Sequence, residues 1–410
     1  MIPSRFRSAG FLLFLVVLLA MLVRVAYVST LEPKIFWYDG QEYQRLARGI
    51  LDTGAYLAPD GSPTAFWPPC YPVLMAALGG DAVALRLVQA LLGALTALLV
   101  FGIARDRLGT RTAILAAALC AVYPLYIYSA GSIMPVVWLA FLVTLSFASL
   151  CWALRRESAA LFLLAGLAGA AAVLTSASAL PAMLLTLPWI WLEVRRSGSR
   201  RGPASALLFL LPILLLVGSW SLRNHRHFDR VIPVSLNGGY NFWLGNYPGV
   251  KATTGNRWTP EMEAEYHALS IEHPGEAELD RALREKALGY IREDPGHFLA
   301  LSLTKAVNLW RLYPRPMTED RPGLNAEKII SILSYGLALP FALVFLGIKL
   351  RRWPAARLAL LWFLAYTALH AVILSKFRFR LPLDGILLVF AAGGLAALAR
   401  RLGWRFLEEG

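Results

Sequence analysis

Residues 82–111 read AVALRLVQALLGALTALLVFGIARDRLGTR. The run 82–104 carries a single charged side chain, Arg86. As a helix it extends about 35 Å at ~1.5 Å per residue, enough to cross a hydrocarbon core of about 30 Å. It then stops on Arg105, Arg107 and Arg111. An apolar run closed by arginines is the pattern of a membrane span whose end is held in a basic loop. Working outward, the same pattern recurs at 10–27, 112–128, 133–154, 159–174, 179–192, 204–220, 329–348, 356–374 and 383–398, which predicts about ten transmembrane helices.

Composition agrees. The chain of 410 residues is 57% hydrophobic and 16% charged, where a soluble domain is usually about 25% charged. Its mean hydropathy is +0.55. The net charge of +14 would suit nucleic acid if it formed an exposed stripe, but the arginines and lysines fall in short connections between apolar runs. Arg5 and Arg7, Arg105 to Arg111, Arg155 and Arg156, Arg195 to Arg201, Lys349 to Arg357, and Arg400, Arg401 and Arg405 mark every second connection. By the positive-inside rule these face the cytoplasm, with both termini inside and two long segments, 28–81 and 221–328, outside. The first apolar run lacks a small-residue cleavage site and reads as an uncleaved span. Cys70, Cys120 and Cys151 have neither disulfide-framework nor metal spacing. The expectation is an all-α polytopic membrane protein in three parts: an N-terminal transmembrane module (1–220), an outer segment (221–328) and a C-terminal transmembrane module (329–410). No internal repeat suggests a transporter of two inverted halves.

Candidate chemistry lies outside. The first outer segment contains Phe36-Trp37-Tyr38-Asp39-Gly40-Gln41-Glu42-Tyr43, the start of a helical pattern that places Asp39, Glu42 and Tyr43 on one face. Asp39 reads as an N-cap with Glu42 completing a capping box, and equally as a general base just above the membrane. The stretch Ala65-Phe66-Trp67-Pro68-Pro69-Cys70-Tyr71-Pro72 reads as an interfacial elbow or as one wall of a cleft. The last outer connection, Ser375-Lys376-Phe377-Arg378-Phe379-Arg380-Leu381-Pro382, puts three cations where the topology predicts few. In an extended segment the two arginines share one face, suited to a lipid phosphate or to bulk anionic headgroups. Arg24 reads as a snorkelling side chain, while Arg86 lies within reach of Asp39, Glu42 or a phosphate. Asn237-Gly238-Gly239-Tyr240-Asn241 opens a glycine- and asparagine-rich run, followed by a helical pattern over 260–294 and an amphipathic stretch over 298–312, interrupted by Lys305 and Arg311, at the outer surface. His225 and His227 find no third ligand, and His370 reads as hydrogen-bonded within the bundle.

Taken in order, Asp39-x-x-x-Tyr43, the Trp67 to Pro72 elbow, Arg86, and Arg378-Phe379-Arg380-Leu381-Pro382 resemble the GT-C glycosyltransferases, in particular bacterial relatives of protein O-mannosyltransferases and lipid A aminoarabinose transferases. Arg223-Asn224 and the run from Asn237 to Asn246 add to the resemblance. It implies a GT-C-like bundle in the bacterial inner (plasma) membrane, with its site facing the periplasm or exterior. It implies inverting transfer of a sugar from a polyprenyl-phosphate carrier to a glycan, lipid or protein hydroxyl. Asp39 then matches the family's base, with Glu42 as the second acid. Tyr43 is the base's neighbour, and Arg378 and Arg380 touch the lipid phosphate. Trp67, Tyr71, Arg86, Lys376, Asn237 and Asn241 complete the expected substrate-binding set. One residue departs from the pattern: Met134, in Ser132-Ile133-Met134-Pro135, stands where the family commonly has an acid. With that departure, either Glu42 substitutes, or the acceptor is handled differently, or the chain is a non-catalytic scaffold that binds the carrier; a transporter or flippase of a lipid-linked sugar is a separate alternative. No cofactor is implied; a divalent metal is not indicated, and metal dependence is left open.

Overall fold

A computed structural model describes residues 4–35, 38–58, 60–250, 258–313 and 326–404, with side chains from residue 9 onward. Phe36, Trp37, Arg405, the side chains of Arg5 and Arg7, and residues 251–257 and 314–325 of the second outer segment lie outside the described residues. In chain order the helices are α1 (Ser4–Ser29), α2 (Tyr38–Thr53), α3 (Cys70–Ala77), α4 (Ala82–Leu108), α5 (Thr110–Ala121), α6 (Pro124–Gly131), α7 (Val136–Arg156), α8 (Ala159–Thr175), α9 (Leu180–Arg196) and α10 (Gly202–Phe228). They continue with α11 (Gly238–Asn246), α12 (Pro260–Glu272), α13 (Glu276–Glu293), α14 (Pro295–Leu309), α15 (Ala326–Ser331), α16 (Leu337–Lys349), α17 (Pro354–Val372) and α18 (Leu381–Arg401). A π turn, Ile332–Gly336, joins α15 to α16. The protein is an all-α polytopic membrane protein.

Among the described residues eight helices are long and apolar enough to cross a membrane: α1, α4, α7, α9 with its leading turn, α10, α15 with α16, α17, and α18 with its leading turn. The other two predicted segments differ from simple spans. Residues 112–128 fall on α5 and α6, which bend by 44° at their junction. Pro124 removes a backbone donor and forces Tyr123 into an extended conformation, so the helix cannot run through. Residues 159–174 fall on α8, apolar but shorter than the others.

The basic connections gather at one end of the bundle. Arg155 pairs with Asp106 at 2.5 Å, joining the connections after α4 and α7. Glu193 of α9 is shared by Arg196 of its own helix and Arg357 of α17. The described residues of segments 30–81, 229–313 and 373–380 occupy the opposite end. At the centre is α18, buried without interruption from Leu381 to Gly393. By contrast α1 and α10 turn leucines such as Leu22 and Leu215 outward, as helices facing lipid do.

The ends of α5 and α6 leave carbonyls short of helical donors, and intramembrane side chains supply them. Arg24, 0% exposed, donates to the carbonyls of Ala121 (2.8 Å), Cys120 (3.1 Å) and Ala20 (2.8 Å). It caps the end of α5 instead of snorkelling. Gln89 donates to the carbonyls of Ala130 (3.0 Å) and Ser132 (2.9 Å) at the end of α6. Arg86 donates to Gly131 O (2.9 Å), and with its other two nitrogens to Glu32 O (2.6 Å) and Lys34 O (2.9 Å).

Replacing Arg24 by methionine orphans the Ala121 carbonyl, at about 1–3 kcal/mol for an unpaired group, and leaves Cys120 O with the long bond from Tyr123 N (3.4 Å). The expected outcome is a clear fall in thermal stability of the detergent-solubilised protein, with Arg24→Lys losing less because one donor group remains.

Candidate active site

Asp39 lies in the first turn of α2. That helix is seated by Tyr43, Leu46 and Ala47, buried residues that continue down the face on which Asp39 stands. Tyr43 stands edge-on to Trp67 (4.9 Å between ring centroids) and to Tyr71 (5.1 Å). Tyr71 in turn donates to Gln89 Oε1 at 2.8 Å, which ties this aromatic corner to the residue that caps α6. The elbow residues Trp67 and Tyr71 are therefore the packing beneath Asp39. Burial pushes the Tyr43 hydroxyl well above its ordinary value; the Asp39 charge adds to this and Arg378 opposes it. Glu42 is one turn further along and pairs with Arg45, turned along the surface of its own helix.

The last connection, residues 373–380, returns across this corner as a strap between α17 and α18. Arg378 Nη2 lies 3.9 Å from Asp39 Oδ2, with the two side chains 32% and 37% exposed. Lys376 stands beside them. Burial brings its ammonium down to about 8, Arg378 adds to the effect, and Asp39 opposes it. A carboxylate from the first outer segment and two cations from the last thus meet at the end opposite the basic loops, reachable from solvent.

Arg380 is not among them. The segment Phe377–Arg380 is a 3-10 turn, not an extended strand. Residues two apart therefore diverge instead of sharing a face. Arg378 points to Asp39. Arg380, 1% exposed, turns into the bundle, where Nε meets Asp384 Oδ1 at 3.3 Å and Nη1 donates to Arg311 O at 2.8 Å. Its guanidinium lies 3.4 Å from the ring centroid of Tyr335 in the π turn. Asp384 also accepts from the Tyr123 hydroxyl at 2.9 Å, so Arg380 locks α18 to the break in the third segment. Arg86 likewise is not directed at Asp39 or Glu42, since all three of its nitrogens are engaged by backbone carbonyls.

Asn237 and Asn241 serve the start of α11. Asn237 Oδ1 accepts from Ser235 Oγ (2.9 Å), and its carbonyl accepts from Asn241 Nδ2 (2.7 Å). The glycines between them permit close packing: a Cβ on Gly239 would collide with the backbone carbonyl of Asp280 in α13. Tyr240 projects toward the site. Its hydroxyl is pushed up to about 12, chiefly by burial, with Asp39 and Tyr38 adding. Through Phe66 it continues the aromatic wall begun at Tyr71, Tyr43 and Trp67, with ring centroids 5.2 Å (Phe66 to Trp67) and 6.0 Å (Phe66 to Tyr240) apart.

Several residues that build the site are not evident from the sequence alone. Glu276 at the start of α13 accepts from Thr64 Oγ1 (2.5 Å) and Ala65 N (2.9 Å), and Arg223 donates to Thr64 O (2.7 Å) and Tyr56 O (2.6 Å). These clamps join the two outer segments. Glu276 sits in an acid-rich helical stretch that gives it no distinction. Gln89 and Asp384 had a signal, being polar groups inside apolar runs. Met134, where an acid is expected, is 7% exposed. Its neighbour Ile133 presents its carbonyl to Gly40, next to Asp39. An acid at 134 would thus stand by the first turn of α2. Among the described residues no three His, Cys, Asp or Glu side chains converge. Asp39 faces the Arg378 guanidinium and, beside it, the Lys376 ammonium.

Comparison with known proteins places this geometry in context. Residues 63–222, less than half of the chain, match the family described as dolichyl-phosphate-mannose-protein mannosyltransferase. No curated protein sequence matches the chain. The structure is similar to the archaeal oligosaccharyltransferase AglB from Archaeoglobus fulgidus in complex with an inhibitory peptide and a dolichol-phosphate, at TM-score 0.57 and 15% identity, covering 95% of this chain and 50% of that one. The apo form of the oligosaccharyltransferase from the same organism gives 0.58, 15%, 96% and 51%. ArnT from Cupriavidus metallidurans bound to undecaprenyl phosphate gives a TM-score of 0.41 at 19% identity, covering 95% of this chain and 79% of that one. The chain thus spans about half the length of the oligosaccharyltransferase, and over that length the two share a fold.

Proposed function

We propose that the protein is an inverting glycosyltransferase that moves a sugar from a polyprenyl-phosphate carrier to an acceptor hydroxyl at the end of the bundle opposite its basic loops. The observation that carries this reading is the meeting of Asp39 with Arg378 and Lys376, from opposite ends of the chain, at one solvent-reachable point. The fold and the match over residues 63–222 support it. So does the positive-inside pattern, which favours the non-cytoplasmic side for the site; in this reading that is the periplasmic or exterior side of a bacterial plasma membrane. The acceptor is a hydroxyl of a glycan, a lipid or a protein.

The chemistry follows from charge. Asp39 takes the proton of the acceptor hydroxyl as its oxygen forms a bond to the anomeric carbon. The bond from that carbon to the phosphate oxygen breaks on the opposite face, and its electron pair leaves with the lipid phosphate. Arg378 and Lys376 hold the negative charge that accumulates there, so the leaving group departs without a separate general acid. Attack and departure on opposite faces invert the anomeric centre. Glu42, paired with Arg45, helps set the charge around the first turn of α2, and Tyr43 supports Asp39 from below.

Asp39→Asn is expected to lower the rate of lipid-linked sugar transfer by about 10²–10⁴ while leaving binding of undecaprenyl phosphate intact; transfer at the wild-type rate would remove Asp39 from the mechanism. Arg378→Ala is expected to weaken undecaprenyl-phosphate binding by roughly tenfold or more, the loss of a charge-assisted contact. Arg380→Ala should instead destabilise the fold, because it strands the Asp384 carboxylate in the bundle.

Carrier affinity should also depend on pH through Lys376. A phosphate prefers the ammonium to the amine, so the Lys376 contribution to affinity is complete below the lysine's value of about 8 and is lost as pH rises through it. Lys376→Arg should remove most of that decline, since a guanidinium keeps its proton. Titrations of undecaprenyl phosphate from pH 6.5 to 9.5, an interval of about three units centred on that value, would read this out.

A further inference from the structure

Lys305 is a charged side chain for which the transfer chemistry has no use, and it is 2% exposed. It sits on the inner face of α14, together with Leu301, Asn308 and Leu309. The other face carries Leu299, Leu303 and Val307, one per turn, with Leu303 70% exposed. A helix of this kind, at the outer end of the bundle, lies along the lipid surface on its apolar side.

On the inner side the ammonium makes three contacts. Lys305 Nζ donates to Asn246 Oδ1 (2.8 Å), Ile373 O (3.2 Å) and Val372 O (3.4 Å). Asn246 Nδ2 donates to the same Val372 O (3.0 Å) and to Phe242 O (2.8 Å). Val372 and Ile373 are where α17 ends and the strap begins, so their carbonyls have no helical donor. A cation is the favoured partner at such a terminus. Gly245 completes the joint, because a Cβ there would collide with the Ile373 carbonyl. Just beyond, His370 Nδ1 donates to Leu374 O (2.9 Å), and its ring stacks on Phe379 with centroids 4.8 Å apart. The strap is thus pinned at its root and folded back over α17. Lys376 and Arg378 project from the part held between those two points.

We propose that Lys305 is a positioning residue: its buried ammonium locks the outer end of α17 to α11 and thereby fixes where Lys376 and Arg378 present their charges to a lipid phosphate, a role that rests on the carrier reading above. The lock also sets a height. Because α14 rides on lipid, the two cations are held at a constant distance from the surface in which a carrier lipid is anchored. Removing the ammonium frees the root of the strap without altering Asp39, Lys376 or Arg378.

The experiment has two independent readouts on the purified full chain: amide hydrogen exchange over residues 374–379, and binding of undecaprenyl phosphate. Lys305→Met should speed exchange across the strap by about tenfold, the signature of a local opening, with α7 and α18 unchanged, and weaken undecaprenyl-phosphate binding by roughly fivefold or more. Lys305→Arg, which keeps cationic donors for the same carbonyls, should restore much of both. Tyr290→Phe deletes a hydroxyl bonded to Glu265 elsewhere in the outer segment; it should leave both readouts near wild type. Unchanged strap exchange in Lys305→Met overturns the lock, and equal losses in Tyr290→Phe reduce it to general destabilisation. A wild-type protein that does not bind undecaprenyl phosphate overturns the carrier reading and the functional half of this proposal, while exchange alone decides whether Lys305 pins the strap.

Discussion

A backbone carbonyl with neither a helical donor nor water has no inexpensive place inside a bilayer, and the two ends where α5 and α6 stop bring the carbonyls of Cys120 and Ala121, and of Ala130, Gly131 and Ser132, against buried side-chain donors. Arg24 serves the first end, and Arg86 and Gln89 serve the second. The consequence reaches the site. With the end of α6 held, the turn after it presents Ile133 to Gly40, and Arg86 also holds the chain at Glu32 and Lys34, just before α2. Asp39 is therefore aimed by groups that never touch it. The buried charges of this protein are spent on geometry at least as much as on chemistry.

The same division runs through the strap. Arg378 and Arg380 are two residues apart, identical in type, and assigned opposite tasks by a single 3-10 turn. One is left near solvent beside a carboxylate. The other is sealed between Asp384, Tyr335 and the Arg311 carbonyl, where it binds α18 to the helices around it. A buried pair of this kind is expensive to strand, so the outer end of the most enclosed helix is fixed, and the strap that leads into it inherits that rigidity.

Much of the fold is legible in the sequence because a membrane leaves few options. Ten apolar segments, the basic ends, the amphipathic α14 and the helices over 260–294 follow from length and periodicity. The cations of residues 376–380 stand out in the sequence against a strong topological rule, and the order of short motifs suggests that Asp39 belongs with them. What the sequence hides is the partner of each polar side chain. Arg86 bonds to Gly131 and Arg380 to Arg311, and nothing local separates an arginine meant for a carbonyl from one meant for a phosphate. The extended reading of residues 376–380 fails for a related reason: alternating Arg and Phe has the period of a strand, but the segment is the first turn of a helix cap. Asn237 and Asn241 look like ligand-binding amides and are spent on their own helix start.

One further consequence comes from α8. Its 17 residues give it a length of about 25 Å at ~1.5 Å per residue, against a hydrocarbon core of about 30 Å. Leu164 and Leu167 are turned outward on it, so it meets lipid and is not wholly sheltered by α7 and α10. A hydrophobic length that short is met by local thinning of the bilayer or by flanking side chains that reach to the interface, at a fraction of a kcal/mol per Å. Either response ties the energy of the bundle that carries the site to the acyl-chain length of the membrane around it.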